Sequence, residues 1–240
     1  MKIKVLTIFP DIFEGFLSSS LIGKAVEKGS LQVELIDIRK FTEDKHSKVD
    51  DVPYGGGPGM VMTPQPVADA IKYAKSGCMN GYVVHLTPQG ELLKQQTLKE
   101  LSELDEIILL NGRYEGIDER IRDLYVDREI SIGDYVLNGG ETASMVLIEG
   151  FSRLIPDFMG NTESTLDESH SAGLLEYPHY TRPAIYSGIH VPEILLSGHH
   201  ENIRKWRRKM SLIRTKNQRP DLFDKVPLTA EDIELLKGEN

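Results

Sequence analysis

Three loops that combine glycine with polar residues follow three segments of strand-like sequence. They are residues 86–90 (LTPQG), 111–116 (NGRYEG) and 132–140 (IGDYVLNGG). Glycine lets a flat ligand approach the backbone, and backbone amides and carbonyls in such loops can bond to the edge of a nucleoside. Leu86, Ile132 and Leu137 could then pack against its faces. The alternative is ordinary turns between strands and helices, and because no loop matches GxGxxG, a dinucleotide site has little support.

Acidic side chains that could do proton-transfer chemistry lie in the polar segment 161–173 (NTESTLDESHSAG). Asp167 and Glu168 are adjacent there, but acidic runs usually face water, so a solubilising segment is the commoner explanation. Arg153 ends a predicted helix, where it would interact favourably with the helix dipole. The histidines lack metal-ligand spacing and no serine lies in GxSxG, so the sequence predicts neither a zinc site nor a serine hydrolase.

Composition limits the class of protein. With 240 residues, 40% of them hydrophobic, the chain can form one large domain or a medium domain and a small one. We expect no membrane span and no signal peptide, since the N-terminus reads as a first strand. The single cysteine, Cys78, excludes an internal disulfide and fits a cytoplasmic location. A net charge of −9 excludes general polyanion binding, so any nucleic-acid contact must come from a local patch.

Alternating strand and helix patterns must position the three loops. Strands are predicted at residues 2–8, 31–38, 82–86, 107–110 and 126–132. Helices are predicted at residues 10–19, 21–28, 66–75, 91–104 and 141–154, with a short charged helix before residue 126. This alternation predicts a mostly parallel sheet covered on both faces, with a ligand site at the strand ends. The strands at 107–110 and 126–132 are expected to be neighbours.

The pattern changes after Pro156. Segment 161–173 resembles a linker, 174–188 is too proline-rich for regular structure, and the chain from Val191 is predicted to be helical. Residues 201–219 carry eight Lys and Arg against a single Glu. A packed face of this helix is predicted from the spacing of Ile203, Trp206, Met210 and Ile213. We interpret the remaining basic faces as a contact to phosphates, with a solvated helix as the alternative.

Six motifs, in order and covering nearly the whole chain, resemble those of bacterial tRNA (guanine-N1)-methyltransferases of the SPOUT superfamily. They are DDVPYGGGPGM (50–60), LTPQG (86–90), NGRYEGIDER (111–120), SIGDYVLNGGE (131–141), SRLIP (152–156) and GLLEYPHYTRP (173–183). The resemblance implies an α/β fold: a mostly parallel sheet with a deep trefoil knot, plus a small C-terminal α-helical domain. The implied domains are residues 1–160, a flexible linker at 161–173, and a tRNA-binding domain at 174–240.

The resemblance implies S-adenosylmethionine as methyl donor, held in the knot. By motif match, the donor-binding residues are Leu86, Thr87, Pro88, Gln89, Gly112, Tyr114, Glu115, Ile132, Gly133, Asp134, Tyr135, Val136, Leu137, Gly139 and Gly140. One departure is His85, which stands before Leu86 where the family often has an aromatic residue. The resemblance also implies magnesium and a homodimer whose active site draws on both subunits.

The implied acceptor is N1 of the guanosine directly 3′ of the tRNA anticodon. N1 carries a proton, so a general base must remove it, and negative charge then builds towards O6, where a cation helps. The family places an Asp before a Ser as the base, and an Arg, here Arg153, near O6. In this chain the aligned position is Glu168 and the Asp lies one residue earlier, at Asp167. Glu168 is the expected base, with Asp167 as its rival.

Residues expected to bind tRNA lie in the C-terminal part of the chain. They are Ser169, His179, Tyr180, Arg182, Arg204, Lys205, Arg207, Arg208 and Lys209. Two other functions stay open from the sequence. A non-catalytic RNA-binding protein would be consistent with the change from Asp to Glu at residue 168, and a nucleotide-dependent oxidoreductase is disfavoured by the missing GxGxxG.

Overall fold

Apolar strand sequences build a parallel sheet in the N-terminal part of the chain. The computed structural model describes residues 1–78, 80–156, 158, 169–170 and 173–237. The chain divides into two compact units, Met1–Gly160 and Asn161–Asn240. The sheet of the first unit is formed by β1 (Lys2–Thr7), β2 (Gln32–Asp37), β5 (Tyr82–Leu92), β6 (Glu106–Asn111) and β7 (Arg128–Ser131). Its order is β2-β1-β6-β5-β7, and every pair is parallel, which confirms the predicted mostly parallel sheet.

Helices cover both faces of this sheet, as predicted. They are α1 (Glu14–Ser18), α2 (Ser20–Glu27), α3 (Pro64–Lys75), α4 (Gln95–Ser102), α5 (Glu119–Tyr125) and α6 (Glu141–Ser152), with a short antiparallel pair β3 (Asp50–Asp51) and β4 (Val61–Met62). Strand side chains alternate between faces. Ile107 and Leu109 of β6 therefore join the core beneath α2, α4 and α6, whereas Ile108 and Leu110 join the core beneath α3 and α5.

One predicted adjacency is wrong. β6 and β7 are not neighbours, because β5 lies between them and pairs with both. β5 also runs six residues past its predicted end, to Leu92, and the next helix begins at Gln95 instead of residue 91. Both Leu86 and Glu91 pair with Ile130, so the intervening loop bulges out of the ladder. Gly90 permits this bulge, since a Cβ there would overlap the backbone of Ile130.

The second unit is mostly helical where the structure describes it. Its helices are α7 (Glu193–Leu196), α8 (His200–Gln218), α9 (Pro220–Phe223) and α10 (Ala230–Leu236). The proline-rich region expected to be irregular contains a short hairpin, β8 (Ile185–Tyr186) with β9 (Ile189–His190). No helix in the described ranges is both long and apolar enough to span a bilayer.

The packed face of α8 differs from its predicted position. The four apolar residues chosen from helical spacing are only half-buried, whereas Ser211, Leu212 and Thr215 are fully buried. Thr215 is tolerated there because its hydroxyl accepts from Leu175 N (2.8 Å) and donates to Ser211 O (2.7 Å). Periodicity counts apolar side chains only, so it missed a face completed by small polar ones.

Candidate functional site

A cavity of about 280 Å³ opens at the carboxyl ends of β5, β6 and β7. The three loops singled out in the sequence form its walls, as expected for an open α/β sheet. All the predicted donor-binding residues line it except Asp134. Sequence reasoning missed further lining residues, which are His85, Arg113, Gly116, Ile130, Ser131, Asn138 and Ala143. Four of them lie within the quoted motifs, and His85, Ile130 and Ala143 lie one or two positions outside, so taking each motif whole with its flanking residues would have found them.

Asp134 lies outside the wall because of a tight turn. The backbone N–H of Tyr135 donates to Gly133 O (2.9 Å), and the Tyr135 hydroxyl donates to Ile132 O (3.2 Å). The turn directs Asp134 to its exposed outer side.

The loop after β6 is fixed by backbone hydrogen bonds to the β4 segment. Glu115 N donates to Met60 O and Met62 N donates to Gly116 O, both at 2.9 Å. Within the loop, Tyr114 has φ +60° and Gly116 has φ +133°. Such values favour glycine, and a non-glycine residue holds them only where its surroundings enforce them. The motif around residues 50–60 thus supports the cavity wall from behind.

A buried polar network fastens the start of α6 to β1 and β6. Asn111 Nδ2 donates to Leu6 O (2.9 Å), and Ser144 Oγ donates to Asn111 Oδ1 (2.6 Å). Glu141, with 1% of its surface exposed, accepts from Thr7 Oγ1 (2.7 Å) and lies 2.9 Å from Arg113 Nε. The Thr7, Asn111 and Ser144 hydrogen bonds restrict the backbone to one arrangement, while Arg113 Nε and Glu141 Oε2 form a buried ion pair without hydrogen-bond geometry. Two of the three loops are therefore held in a fixed relation.

His85 forms part of the cavity wall beside a charged pair. Its Nδ1 lies 3.2 Å from Glu129 Oε1, and Glu129 is chelated by Arg122 through Nε (2.6 Å) and a terminal nitrogen (2.7 Å). Burial lowers the pKa of His85, and the hydrogen bond with Glu129 opposes that shift. The hydrogen bond from Arg122 keeps the pKa of Glu129 below its usual range. The cluster thus combines a neutral imidazole with a carboxylate that stays ionised.

The cavity surface suits a nucleoside. Leu86 supplies a buried apolar wall, Ile132 is half-buried, and Leu137 is exposed at the opening. Close backbone approach is built in: a Cβ on Gly140 would lie 2.9 Å from Asn111 Oδ1, and one on Gly112 would lie 3.2 Å from His85 Nε2. Ligand sites of this type join apolar surface to a few convergent polar groups. No group of three His, Cys, Asp or Glu in the described chain could hold a metal ion.

The structure describes one of the three predicted catalytic side chains, Arg153. Asp167 and Glu168 lie outside the described residues. Arg153 lies at the C-terminal cap of α6, half-buried, and does not line the cavity.

The predicted RNA-binding residues of the second unit form two groups. The first surrounds residue 176: Ser169 Oγ accepts from Glu176 N (3.0 Å), and His179 Nε2 lies 2.8 Å from a Glu176 carboxylate oxygen. The Tyr180 ring lies 6.4 Å from that of Trp206, and Arg182 is exposed. Aromatic and cationic groups are therefore close together on this part of the unit.

The second group lies on α8. Arg204 pairs with Glu201 and Glu231, and Lys205 lies 3.8 Å from Glu201. Arg207 is exposed and stacks on Tyr177 at 4.9 Å.

Arg208 and Lys209 are half-buried on the same helix. Arg208 chelates Asp232 at 2.7 and 2.8 Å. Nothing in the local sequence indicates that this arginine faces a carboxylate 24 residues away.

Comparison with known proteins agrees with the six motifs. Residues 1–225 match the family model described as tRNA (Guanine-1)-methyltransferase TrmD. A protein of Clostridium perfringens (strain ATCC 13124), named tRNA (guanine-N(1)-)-methyltransferase, is 55% identical over 239 residues, covering 100% of both chains. Proteins with the same name from Clostridium tetani and Oceanobacillus iheyensis are 54% and 53% identical, covering 99% and 97% of this chain and 98% and 95% of their own. The chain therefore belongs to the tRNA (guanine-1)-methyltransferase TrmD family.

Proposed function

We propose that this protein transfers a methyl group from S-adenosylmethionine to N1 of the guanosine directly 3′ of the anticodon in tRNA. The observation that carries the proposal is the cavity at the ends of β5, β6 and β7, whose walls are the same loops that carry the family motifs. We propose further that these loops form a deep trefoil knot, which would explain why one short region of the sheet builds the entire cavity.

The donor would lie against the three loops. Leu86, Ile132 and Leu137 would pack on its base, while backbone groups of the loops after β6 and β7 would bond to its polar edges. When bound, S-adenosylmethionine supplies an electrophilic methyl group on a sulfonium. The chain's own contribution is to hold the nucleoside in an open cleft that Arg113 helps to line, with the Arg113–Glu141 pair (2.9 Å) fixing its shape.

The acceptor nitrogen must lose a proton during transfer. Glu168 would remove that proton as general base, with Asp167 as the rival, and Arg153 would stabilise negative charge at O6. The guanine edge that reacts is its Watson–Crick edge, so the nucleotide must be unstacked from the anticodon loop. The second unit, with its aromatic cluster and basic helix, would hold the tRNA through Ser169, His179, Tyr180, Arg182 and the α8 cations.

Two assembly features complete the proposal. A homodimer would bring the carboxylate of one subunit to the cavity of the other, and magnesium would assist the reaction. Sedimentation at assay concentration tests the first, and turnover with and without a chelator tests the second. A monomeric active species would overturn the shared active site, and undiminished turnover with chelator would overturn the need for magnesium.

The deciding experiment is transfer of labelled methyl to a tRNA transcript with guanosine after the anticodon. A transcript with adenosine at that position is the matched control. We expect labelling of the transcript with guanosine and no labelling of the transcript with adenosine. tRNA binding without labelling would instead support a non-catalytic RNA-binding protein. Binding of a nicotinamide cofactor, with neither tRNA binding nor labelling, would support an oxidoreductase.

Paired carboxylate variants then identify the base. Glu168→Gln is expected to lower turnover by orders of magnitude, about 10²–10⁴-fold for loss of a general base. Asp167→Asn is expected to leave most activity. The reverse pattern would assign the role to Asp167, and retention of activity in both would show that neither carboxylate is the base.

A further inference from the structure

His85 occupies a place in the cavity wall that the methyl-transfer chemistry does not use. It stands on β5, where its backbone pairs with Leu110 of β6 and Glu129 of β7. One ring nitrogen, Nδ1, lies 3.2 Å from Glu129 Oε1. The other, Nε2, faces Gly112 on the opposite side, 3.2 Å from the point where a Cβ would stand. The imidazole is therefore placed between a carboxylate and the cavity.

The carboxylate determines which ring nitrogen carries the proton. Glu129 is chelated by Arg122 at 2.6 and 2.7 Å, which holds it in the ionised form, and an ionised carboxylate can only accept hydrogen bonds. His85 must then carry its proton on Nδ1. In the neutral ring, Nε2 is left with a lone pair and acts as an acceptor.

Nε2 lies against Gly112, which lines the cavity together with His85. Gly112 has no side chain to cover this nitrogen, and no described residue makes a hydrogen bond to Nε2. The charged groups around the ring are Glu129 on β7, and Arg122 and Glu119 on α5. Glu129 lies at Nδ1, and Arg122 bonds to both Glu129 and Glu119. This nitrogen is thus an oriented acceptor in the part of the wall formed by His85 and Gly112.

We propose that His85 Nε2 accepts a hydrogen bond from an N–H or O–H of the donor nucleoside, and that the Arg122–Glu129 pair fixes the tautomer this requires. The inference rests on the proposed function, because it takes the methyl donor as the occupant of the cavity. It also gives donor binding a pH dependence: protonation would put a proton on Nε2 and remove the acceptor.

Two variants of His85 distinguish the contributions of its two ring nitrogens to ligand binding. His85→Gln places an amide near Nε2, whereas His85→Asn reaches only as far as Nδ1 and leaves the cavity side empty. Calorimetry with S-adenosylhomocysteine on the full-length protein is expected to show at least a tenfold loss of affinity for His85→Asn, about one hydrogen bond. His85→Gln should stay within about threefold of the wild type. Equal losses in the two variants would overturn the proposal.

The tautomer is tested directly by nitrogen-15 NMR of labelled histidine. The His85 signal should show the Nδ1–H form in the wild type, and Glu129→Gln should shift it towards a mixture while weakening ligand binding. An Nε2–H form in the wild type would overturn the assignment, even if a histidine variant fails to fold.

Ligand analogues identify the bonded group. S-adenosylhomocysteine lacking the 6-amino group, or either ribose hydroxyl, is measured on the wild type and on His85→Asn. The group whose removal lowers affinity for the wild type but not for the variant is the hydrogen-bond donor to Nε2. Losses of equal size on both proteins for all three analogues would refute the bond. If the wild type transfers methyl but shows no such coupling, the inference alone fails. If it binds no S-adenosylhomocysteine at all, the proposed function fails with it.

Discussion

Arg207 and Arg208 are adjacent on α8, yet their surroundings predict opposite effects of mutation. Both were expected from the sequence to contact tRNA phosphates. Arg207 is exposed and stacks on Tyr177, whereas Arg208 reaches across to α10 and chelates Asp232. Replacing Arg208 with Met should therefore destabilise the fold. Replacing Arg207 with Ala should weaken tRNA binding with little loss of stability.

The expected loss of folding stability in Arg208→Met follows from the burial of the Asp232 carboxylate. Asp232 is 1% exposed and also accepts from Thr229 N (2.9 Å), and the Arg208 side chain is 31% exposed. Removing one partner of a buried ion pair costs about 3–5 kcal/mol, and the partial exposure of Arg208 favours the lower end, about 3 kcal/mol. With a urea dependence of about 2 kcal/mol per molar, the unfolding midpoint should fall by about 1.5 M.

Urea unfolding followed by circular dichroism measures this shift, and Arg207→Ala is the matched control. A double-mutant cycle with Asp232→Asn isolates the pair, because the second replacement removes the unpaired carboxylate left by the first. The double variant should regain part of the stability lost in Arg208→Met. An unchanged midpoint in Arg208→Met, or fully additive losses in the cycle, would refute a structural role for this arginine. For Arg207→Ala, the log–log salt slope of tRNA binding should fall by about one.

Three further predictions concern the buried groups. Glu141→Gln leaves Arg113 without its carboxylate, so we expect a lower unfolding midpoint and weaker S-adenosylhomocysteine binding by calorimetry; wild-type values for both would contradict the network. Gly140→Ala places a Cβ 3.0 Å from the Asn111 Cα, so the loop must shift and ligand affinity should fall severalfold in a protein that still folds. The Arg208 guanidinium lowers the pKa of Asp232 below its ordinary value of 3.8. Because the pair then stabilises the folded state above that value, its contribution should disappear as pH falls further, and Asp232→Asn should unfold with a shallower acid dependence.

The order of the strands shows what local sequence can predict. An apolar run located β6 because a parallel strand inside the sheet is buried on both faces, whereas the edge strands β2 and β7 mix apolar with polar residues. The adjacency of strands depends on pairing between distant segments, so the insertion of β5 between β6 and β7 was not predictable from spacing. The extension of β5 past Leu86 was not predicted either. The residues that bulge out of the strand are polar, and in the sequence they resemble a loop.

The candidate site likewise has features that local sequence predicts and contacts that it does not predict. Glycine-bearing loops at strand ends were predictable, since close ligand approach needs both features in one short segment. The contact between Thr7 and Glu141 spans 134 residues, and nothing in either segment marks it. His85 was noticed only as a departure from a family pattern. Its role between Glu129 and the cavity depends on the position of β7, which the sequence placed beside the wrong strand.

The ion pairs on α8 decide how much of its positive charge is available to an RNA. Arg204 and Arg219 pair with exposed carboxylates, and their side chains are 51% and 45% exposed. Such pairs contribute at most about 1 kcal/mol, so an RNA phosphate can replace the carboxylate at little cost. Arg208 differs because its partner is buried, and leaving that partner would strand a charge away from water. Under the proposed function, the exposed cations of α8 would therefore bind the tRNA, while Arg208 holds α8 and α10 together.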